Sequence, residues 1–386
     1  MHLSSRGKVS IGLLFTACVA LVSSFLVSGG IVVLANRPSE NGPFIEGLHH
    51  IAAIASTIPS NGDVNPYGTA VVQRSVGKLT RGDILVSNFN NNLNQAGTGS
   101  TIVEISPNGI PTLFAQINVS DLDGTCPGGV GLTTALVVLE RGWVIVGNLP
   151  TTGGTPASAM AGCLIVLNSN GTVVETFAGQ SINGPWDMTA YDGGSRAALF
   201  VTNVLNGTVA ANGNVVNTAT VIRIELNVPN QGQGLPSRQS TTEIGSGFAA
   251  QTNAAALVIG PTGVGLSRNG TLYVADTLQN RIAAIPDALM RLTSASTGRT
   301  VTVNGALNGP LGLAIAPNGD ILTVNGNDGF MVETTPAGVQ AAKKLVDNTI
   351  IPGSPPGAGC LFGIAVRASD GVYFPDDCTS TLNLLY

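Results

Sequence analysis

Histidine, charged residues and aromatic residues are all scarce in this chain of 386 residues. It contains three histidines, 10% charged residues and 5% aromatic residues. The formal net charge is −5, and no run of lysine or arginine is longer than two residues. A surface that binds a phosphate backbone needs clustered positive charge. We therefore expect no nucleic-acid partner.

Charge is absent from residues 11–35, an apolar stretch that follows Arg6 and Lys8. Basic residues before an apolar core are typical of an export signal, and small residues at the end of the core are what a signal peptidase recognises. Val33, Leu34 and Ala35 end this stretch. The sequence therefore predicts a signal peptide that is cleaved after Ala35.

Two other interpretations of the N-terminal segment stay open. The first is a retained membrane anchor, because the 25 residues of the apolar stretch exceed the ~20 that span a bilayer. The second is a lipoprotein-type cleavage box at residues 15–18. All three interpretations place the mature chain outside the cytoplasm, secreted or periplasmic, with membrane contact only through residues 1–35. Residues 36–44 are then a linker to one domain over residues 45–386.

Cysteine is rare as well, and four cysteines follow the N-terminal segment: Cys126, Cys163, Cys360 and Cys378. An even number in an oxidising compartment suggests two disulfides, and four cysteines allow three pairings. Nearness in sequence favours Cys126–Cys163 and Cys360–Cys378. Four reduced and separately buried thiols are the alternative. The sequence contains no Cys-x-x-Cys motif, which argues against a structural zinc site.

Glycine is plentiful, with 50 residues, and one short apolar motif that ends in Asn or Asp occurs six times. The six copies are Ile84–Asn88, Val144–Asn148, Leu199–Asn203, Leu272–Asp276, Ile321–Asn325 and Val372–Asp376. The last residues of successive copies are 60, 55, 73, 49 and 51 positions apart. Self-similarity at such a spacing is typical of repeat architectures, among them propellers.

Each copy belongs to a longer unit with the parts of a small antiparallel sheet. A turn and an apolar strand precede the motif, as at Pro185-Trp186-Asp187 and Pro261-Thr262-Gly263. Asn269-Gly270 and Asn318-Gly319 are typical of tight hairpin turns. Two further strands follow, and four antiparallel strands form a propeller blade. The sequence therefore predicts an all-β, six-bladed propeller; a seventh, partial blade within the 73-residue interval is the alternative.

The chain termini are predicted to close the ring. The last unit ends at Tyr386 after its third strand, at residues 380–385, and one unassigned strand candidate, Leu48–Ser56, precedes the first unit. A strand with unpaired edges invites pairing with another chain. We therefore expect the N-terminal strand to complete the last blade.

The fourth and fifth units resemble a known repeat. Residues 260–266, 269–276 and 280–282 resemble, one after another, the consensus of the NHL repeat, and Gly309–Asn325 is nearly as close. The resemblance covers roughly residues 45–386 and is specific only from about residue 183 to 335. It implies a propeller that is similar in architecture to gluconolactonase-, strictosidine synthase- and streptogramin lyase-type propellers, and it implies no particular activity.

In a propeller the inner strands start, and the second strands end, on one face, so the motif ends are expected around the mouth of the central channel. The candidates are Asn88, Asn148, Asn203, Asp276, Asn325 and Asp376, joined by Trp186 and Asp187 at the start of an inner strand. Calcium takes oxygen ligands, and the possible Ca²⁺ set is Asp187, Asn203, Asp276 and Asp376. The competing interpretation is structural, because Asn and Asp side chains hydrogen-bond nearby backbone in turns.

Two long connections are predicted on the same face, Leu149–Gly162 and Val204–Asn217. Loops on a rigid scaffold commonly carry recognition, although tolerated insertions are the alternative. Residues 121–124, Asp-Leu-Asp-Gly, resemble the start of a calcium loop. The bidentate acid that such a loop needs further on is missing.

The lack of histidine limits the choice of activity. Beyond the N-terminal segment only His49 and His50 remain, in the predicted closing strand, whereas the streptogramin lyase-type propellers use histidine at their central site. No Gly-x-Ser-x-Gly motif occurs. We therefore expect a monomeric, non-catalytic module that binds a protein, glycan or small molecule. The alternative is a Ca²⁺-dependent hydrolase, lactonase or lyase at the channel mouth, and a purely structural cell-surface module is a third interpretation.

Overall fold

The computed structural model describes residues 42–122 and 126–386. This part of the chain contains twenty-five β-strands and four short 3-10 helices. The strands form six antiparallel sheets, five with four strands and one with five. These sheets are the blades of a six-bladed β-propeller, as the six repeats predict. The 3-10 helices are Ile45–Gly47, Val119–Asp121, Pro156–Ser158 and Thr277–Gln279.

We number the blades in chain order and give the strands of each from the channel outward. Blade 1 contains β2 (Val64–Val71), β3 (Ile84–Asn90), β4 (Thr101–Ile105) and β5 (Pro111–Gln116). Blade 2 contains β6 (Leu132–Val138), β7 (Val144–Asn148), β8 (Cys163–Leu167) and β9 (Val173–Phe177). Blade 3 contains β10 (Pro185–Asp192), β11 (Arg196–Asn203), β12 (Val216–Asn227), β13 (Ser237–Asn253) and β14 (Leu257–Ile259).

The other three blades follow the same order. Blade 4 contains β15 (Pro261–Leu266), β16 (Leu272–Asp276), β17 (Arg281–Ile285) and β18 (Arg299–Val303). Blade 5 contains β19 (Pro310–Ile315), β20 (Ile321–Asn325), β21 (Phe330–Thr334) and β22 (Gln340–Leu345). Blade 6 contains β23 (Ala365–Arg367), β24 (Gly371–Asp376), β25 (Thr381–Leu385) and, as its outer strand, β1 (Ile51–Ser56).

The hydrophobic core lies between neighbouring blades. Every residue of the second strands β3, β7, β16 and β20 is buried, because each strand packs against a blade on both sides. In one cluster Ile145 of blade 2 meets Val201 and Ile224 of blade 3. This double burial explains why the repeated motifs are continuous apolar runs rather than alternating ones.

The termini close the ring as the sequence predicts. Strand β1 pairs antiparallel with β25, with Ile51 opposite Leu385 and Ser56 opposite Thr381. The amide of Tyr386 donates to the carbonyl of His50 at 2.9 Å. Blade 6 is therefore built from both ends of the propeller.

The 73-residue interval is filled by an extended blade 3 and not by a seventh blade. Strand β12 has 12 residues and β13 has 17, so the hairpin that they form is much longer than the strands of other blades. The end of β13 turns back into β14, with Asn253 opposite Leu257. The additional residues therefore lengthen one sheet.

Both predicted disulfides are present. Cys126 is bonded to Cys163 with a Cα–Cα distance of 5.4 Å, and Cys360 to Cys378 with one of 5.0 Å. The first joins the segment that precedes β6 to β8, and the second joins the segment that precedes β23 to the β24–β25 turn. The pairing that nearness in sequence favours is thus confirmed.

The inner strands approach one another closely where they begin. A Cβ on Gly312 would lie 2.1 Å from the carbonyl oxygen of Phe362 in the next blade, and one on Gly363 would lie 2.2 Å from that of Tyr67. Real Cβ contacts are never so short, so only glycine allows the blades to meet here. This close approach narrows the channel at the face where the second strands end.

Some predictions fall on residues outside the described part. These are the signal peptide or anchor at residues 1–35, most of the linker at 36–44, and Asp123 and Gly124 of the calcium-loop resemblance. Among the described residues, no helix is long and apolar enough to cross a membrane.

Candidate functional site

The six motif-end residues all lie buried on one face of the propeller. Each one ends, or nearly ends, the second strand of its blade and stands opposite a residue within a few positions of the start of the inner strand. The opposed pairs are Pro66–Asn88, Leu132–Asn148, Pro185–Asn203, Pro261–Asp276, Pro310–Asn325 and Leu361–Asp376. Exposure of the six Asn and Asp residues is 6% or less. None of the six is among the residues that line the channel cavity described below, and their role as channel-mouth ligands stays a prediction.

Four of the six side chains bind the loop that leads into their own blade. The Oδ1 atoms of Asn148, Asn203 and Asn325 accept hydrogen bonds from the amides of Gly131 (2.6 Å), Asn183 (2.9 Å) and Asn308 (3.0 Å), respectively. Asn88 donates from Nδ2 to the carbonyl of Thr57 at 3.0 Å. These bonds are of the kind that the structural interpretation expects. They explain why an amide recurs at this position, whatever else the residues bind.

The two acids of the set have different partners. Asp276 forms an ion pair with Arg281, with 2.8 Å between Oδ2 and Nε; burial raises the pKa of Asp276, and Arg281 opposes that shift. Asp376 lies beside Asp347 and the Cys360–Cys378 disulfide, with one oxygen of each carboxylate and both sulfurs within 4.8 Å of one another. Burial and the charge of Asp347 raise the pKa of Asp376.

The four residues of the predicted Ca²⁺ set do not form one group. In residues 42–122 and 126–386, one group of four such side chains lies together, Asp347, Cys360, Asp376 and Cys378, and its two sulfurs are joined in a disulfide, which leaves the two carboxylates as its possible ligands. Asp187 and Asp276 do not belong to it, and Asn203 holds the loop before β10. Two oxygens that ligate one Ca²⁺ at about 2.4 Å lie within about 5 Å of each other, so the Asp347–Asp376 pair fits an ion better than the predicted set does. The predicted set stays a prediction.

Asp187 is different, because its side chain lines the central channel. Inner strands of all six blades enclose a cavity of about 460 Å³, and Asp187 lies at the end where those strands begin. Its Oδ1 accepts a hydrogen bond from the amide of Met188 at 2.8 Å, and the amide of Val264 donates to the carboxylate as well. Enclosure by the channel walls raises the pKa of Asp187 well above its usual range.

The blades are not equivalent at the position of Asp187. Asp187 lies two residues after the inner-strand residue that opposes the motif end of its blade. The residues at the same position in blades 1, 4, 5 and 6 are Gly68, Gly263, Gly312 and Gly363. Each of these glycines lies against the backbone or a side chain of a neighbouring strand. Blade 3 has an acid there instead. The channel therefore receives one carboxylate at this level from blade 3 and no side chain from those four blades.

Trp186 points away from the channel, into an aromatic cluster at its end. The cluster consists of Tyr67, Phe89, Trp186 and Phe362; Tyr67 stacks on Phe362 and on Phe89 with ring centroids 3.9 and 4.7 Å apart. Trp186 meets Tyr67 and Phe89 edge-on at 6.1 and 5.4 Å. Tyr67, Phe89 and Trp186 are all less than 5% exposed. The aromatic cluster lies on the face of the motif ends, beside the starts of the inner strands of blades 1 and 3.

The two predicted long loops pack on this aromatic cluster. Leu149 and Val204, the first residues of the loops, are fully buried in it. The amide of Thr151 donates to the carbonyl of Gly97 in blade 1 at 2.8 Å, and the amide of Gly213 donates to Oγ1 of Thr252 at 2.9 Å. The loops are therefore fixed to neighbouring parts of the face. The second loop ends earlier than predicted, because β12 already begins at Val216.

The channel is open at the opposite face. Glu140, Gln73 and Asp192 line that end, and the first two are exposed. Asp192 accepts hydrogen bonds from the amides of Glu140 (2.7 Å) and Gly194 (2.8 Å). The mouth of the channel and the loop-bearing face are thus on opposite sides of the propeller.

Several of these residues were not predicted. Tyr67 is one of them, although the sequence contains a signal for it: Tyr67 holds the same place in Pro66-Tyr67-Gly68 as the predicted Trp186 holds in Pro185-Trp186-Asp187. No pattern pointed to Asp377, whose pKa is raised to about 7 by burial and by the charge of Asp376. Glu140 and Asp192 at the open mouth were not predicted either, because the predicted candidates all come from the face on which the second strands end.

The remaining candidates lie away from the channel. His49 and His50 are exposed before β1, and the ring of His50 lies 5.5 Å from that of Tyr386. Asp121 accepts hydrogen bonds from the backbone amide of Asn118 at 2.7 Å and from its side chain at 3.1 Å. This carboxylate therefore caps a short helix at the start of the resemblance to a calcium loop.

Comparison with solved structures supports the propeller architecture. A luciferin-regenerating enzyme matches with a TM-score of 0.52 at 10% identity, over 86% of this chain and 94% of that one. Regucalcin from Agrobacterium tumefaciens, a calcium-binding protein, matches with a TM-score of 0.50 at 13% identity, over 86% and 93% of the two chains. A gluconolactonase from Xanthomonas campestris matches with a TM-score of 0.49 at 12% identity, over 87% and 88%.

These likenesses establish the fold and nothing finer, since the identities are low. No family model matches the chain, and no curated protein sequence matches it either. By its fold the chain is a six-bladed β-propeller, similar in architecture to the luciferin-regenerating enzyme and regucalcin structures.

Proposed function

We propose that this chain is an extracytoplasmic binding module that recognises a protein, a glycan or a small molecule through the loop-bearing face of its propeller. The observation that carries the proposal is the way in which the loops of that face are held. Leu149 and Val204 anchor the loops after β7 and β11 in the aromatic cluster. Loops that are ordered in advance lose little conformational freedom on binding, and loops on rigid scaffolds commonly carry recognition.

Exposed apolar side chains on this face give a partner something to bury. Leu93 is 72% exposed, Met160 is 43% exposed and Val215 is 53% exposed. Each lies in a different connection, after β3, β7 and β11. Single exposed apolar residues are ordinary, but apolar anchors on ordered loops are the contacts that contribute most to binding when a partner covers them.

Two further features support the location and the repeat type. Disulfides persist in oxidising compartments, and both disulfides of this chain are formed, which favours an extracytoplasmic site of action. The hairpin of β15 and β16, with Gly270 at a φ of 82° in its turn, is the part whose sequence resembles the NHL repeat. We include NHL-type blades in the proposal on that resemblance.

A photo-crosslinking amino acid placed on each face tests the proposal. We would introduce it at Met160 on the loop-bearing face and, as a matched control, at Val339, which is 61% exposed in the β21–β22 turn of the opposite face. The protein is then irradiated on cells of its source. The proposal requires one discrete adduct from position 160 and none from position 339. Equal labelling from both faces, or an adduct from position 339 alone, would contradict it.

A second candidate function is hydrolysis, as a Ca²⁺-dependent hydrolase, lactonase or lyase. Asp187 favours it, since a carboxyl group that stays protonated at higher pH in a channel can serve as a general acid. The structures of similar fold include a calcium-binding protein. Asp347 and Asp376 would hold the ion by their carboxylates, while the ion pair of Asp276 with Arg281 makes Asp276 a poor ligand.

Metal content separates the two candidates. The hydrolase requires about one Ca²⁺ per chain after dialysis against a calcium buffer, its loss in Asp376→Asn, and turnover of a simple aldonolactone that EDTA abolishes. A protein that binds no calcium and hydrolyses no lactone, while position 160 still gives its adduct, rules out the hydrolase and leaves the binding module.

A further inference from the structure

The Cys360–Cys378 disulfide lies beside two carboxylates, and this setting distinguishes it from the other disulfide of the chain. One carboxylate oxygen of Asp347, one of Asp376 and both sulfurs lie within 4.8 Å of one another. Asp347 and Asp376 are each 6% exposed. Four atoms that can ligate a metal therefore share one place, and two of them are joined by a covalent bond.

The other disulfide, Cys126–Cys163, has an amide as its neighbour. Asn148 ends β7 as Asp376 ends β24, and its Nδ2 lies 3.3 Å from Sγ of Cys126 and 3.8 Å from that of Cys163. Among residues 42–122 and 126–386, no acid or histidine forms a group of possible metal ligands with these two sulfurs. The same position of the repeat thus places an amide against one disulfide and a carboxylate against the other.

The two carboxylates are oriented by hydrogen bonds of their own. Oδ1 of Asp347 accepts from the amide and the hydroxyl of Thr349 at 2.8 and 2.7 Å, and Oδ1 of Asp376 accepts from the amide of Thr379 at 3.1 Å. Oδ2 of Asp347 is buried and has no hydrogen-bond partner among the described residues. Bonds to one oxygen fix the direction of the other, and a buried acceptor without a donor or a cation is unfavourable. This oxygen is therefore available to a ligand.

The backbone keeps the two cysteines together when the disulfide is opened. The amide of Asp377 donates to the carbonyl of Cys360 at 2.9 Å, and Leu361 pairs with Asp376. Cys378 follows in the β24–β25 turn, with its Cα 5.0 Å from that of Cys360. Two thiolates on one tetrahedral Zn²⁺ lie about 3.8 Å apart, since each Zn–S bond is about 2.3 Å long. Rotation of the cysteine side chains can provide that separation.

From this arrangement we propose that the protein contains a redox-linked zinc site. When a dithiol reduces Cys360–Cys378, the two cysteines and the carboxylates of Asp347 and Asp376 bind one Zn²⁺. Cysteine and aspartate are both zinc ligands, and four protein ligands in a tetrahedral arrangement are typical of a closed site. The proposal does not rest on the binding module, nor on the calcium-dependent candidate, in which the ion would bind with the disulfide intact.

The exchange balances in electrons and protons. A thiolate of the dithiol attacks Sγ of Cys378, the exposed cysteine of the pair, and Cys360 leaves as a thiolate. The second thiol of the reagent resolves the mixed disulfide, so that the reagent becomes a disulfide and Cys378 is released. Two electrons pass to the protein, and the two protons of the dithiol go to solvent as the thiolates bind Zn²⁺. Because thiolates and carboxylates this close together repel one another without a cation, metal binding and reduction favour each other.

Zinc titration of the reduced and the oxidised full chain tests the proposal. The reduced chain, freed of excess dithiol in the absence of air, is expected to bind one Zn²⁺ about a hundredfold or more tightly than the oxidised chain, because it offers four ligands instead of two. Co²⁺ in place of Zn²⁺ should give the absorption of thiolate-bound tetrahedral cobalt with the reduced chain alone. Equal zinc affinity of the two forms, or no thiolate–cobalt absorption, would overturn the proposal.

Zinc should also shift the reduction itself. A ligand that binds only the reduced form stabilises it by mass action, so Zn²⁺ at 100 times its dissociation constant raises the equilibrium constant for reduction about a hundredfold. The measurement uses a thiol–disulfide buffer with a fixed concentration of free Zn²⁺, and alkylation followed by mass spectrometry reports each disulfide separately. Reduction of Cys126–Cys163 should not respond to zinc. An equal effect of zinc on both disulfides, or an effect on neither, would contradict the linkage.

Variants assign the site to its four ligands. Asp347→Asn and Asp376→Asn should each weaken zinc binding by the reduced chain about tenfold or more, whereas Glu243→Gln, which removes the same charge from an exposed position on β13, should leave it unchanged. Replacing Cys360 and Cys378 by serine, with the other disulfide retained, should abolish zinc binding after reduction. Full affinity in the serine variant, or in both aspartate variants, means that other groups bind the metal and the assignment is wrong. If a variant does not fold, the comparison of the oxidised and reduced unmodified chain still decides the matter.

Discussion

The segment that leads into the closing strand β1 is bound by a buried carboxylate, that of Glu333, and its contribution to stability can be measured. Glu333 lies on β21 with no exposed surface. Its Oε1 accepts from the amide of Phe44 at 2.7 Å and from Nδ2 of Asn318 at 2.8 Å, and its Oε2 accepts from the amide of Ile45 at 2.8 Å. Lys344 donates from Nζ to the carbonyls of Ile45 and Leu48. These bonds hold the segment that leads into β1.

The expected magnitude for Glu333→Gln follows from the bonds that it changes. Glutamine keeps one acceptor oxygen but places an amide donor opposite one of the buried N–H groups. Hydrogen bonds to charged groups contribute about 1.5–3 kcal/mol each, and a buried donor left without an acceptor costs about 1–3 kcal/mol. We expect a loss of about 3 kcal/mol in the free energy of unfolding. At about 2.1 cal/mol/K per residue, a unit of roughly 340 residues melts roughly 4 °C lower.

Hydrogen exchange shows whether the loss is local to the closure. Exchange of the β1 amides should accelerate in Glu333→Gln while the inner strands keep their protection, and the melting temperature should fall. Glu243→Gln removes an exposed acid on β13 and serves as the control, for which no change is expected. If β1 exchanges at the same rate in the unmodified protein and in Glu333→Gln, the N-terminal segment does not depend on this carboxylate and the reasoning fails.

Two other predictions concern the disulfides and pH. Replacing both cysteines of one bridge by alanine should reduce the free energy of unfolding in urea by about 4 kcal/mol for Cys126–Cys163 and by about 3 kcal/mol for Cys360–Cys378. The bridges span 37 and 18 residues, and the longer loop restricts the unfolded chain more. Equal losses for the two bridges would contradict this. Burial and Glu333 raise the pKa of Asp320 to about 6, so the folded chain holds this proton more tightly than the unfolded chain. The stabilisation of the folded chain by this proton is complete below about pH 4 and is lost as the pH rises through about 6. The melting temperature should therefore fall over this range, and it should fall less in Glu333→Gln.

The architecture was predictable from the sequence because several independent signals coincide in each repeat. Apolar strands of similar length recur, and Asn-Gly dipeptides mark the hairpins; Gly270 and Gly319 adopt φ values of 82° and 91°, as such turns require. The closing strand followed from counting strands at the two ends. The extended hairpin of blade 3 did not, because strand length beyond the core of a blade depends on pairing between β12 and β13 and not on the local pattern.

The candidate site was predictable only in part. The sequence placed Asn148, Asn203 and Asn325 on the correct face, but a strand-end amide gives no indication of which way it will bond. In the folded chain these amides hold the loops of their own blades. The aromatic cluster joins residues from blades 1, 3 and 6, and contacts between blades so distant in sequence carry no periodic signal.

The position of Asp187 shows how a repeat scaffold acquires a site. Where the inner strands meet, four blades have glycine, since the chains are too close for a side chain. A residue shared by all repeats serves what the repeats have in common, which is closure of the ring. Asp187 breaks this pattern: its carboxylate accepts from the amide of Val264 in blade 4 and also lines the channel. The departure from the repeat is therefore a better guide to function than the repeat itself, and in this chain it indicates the channel.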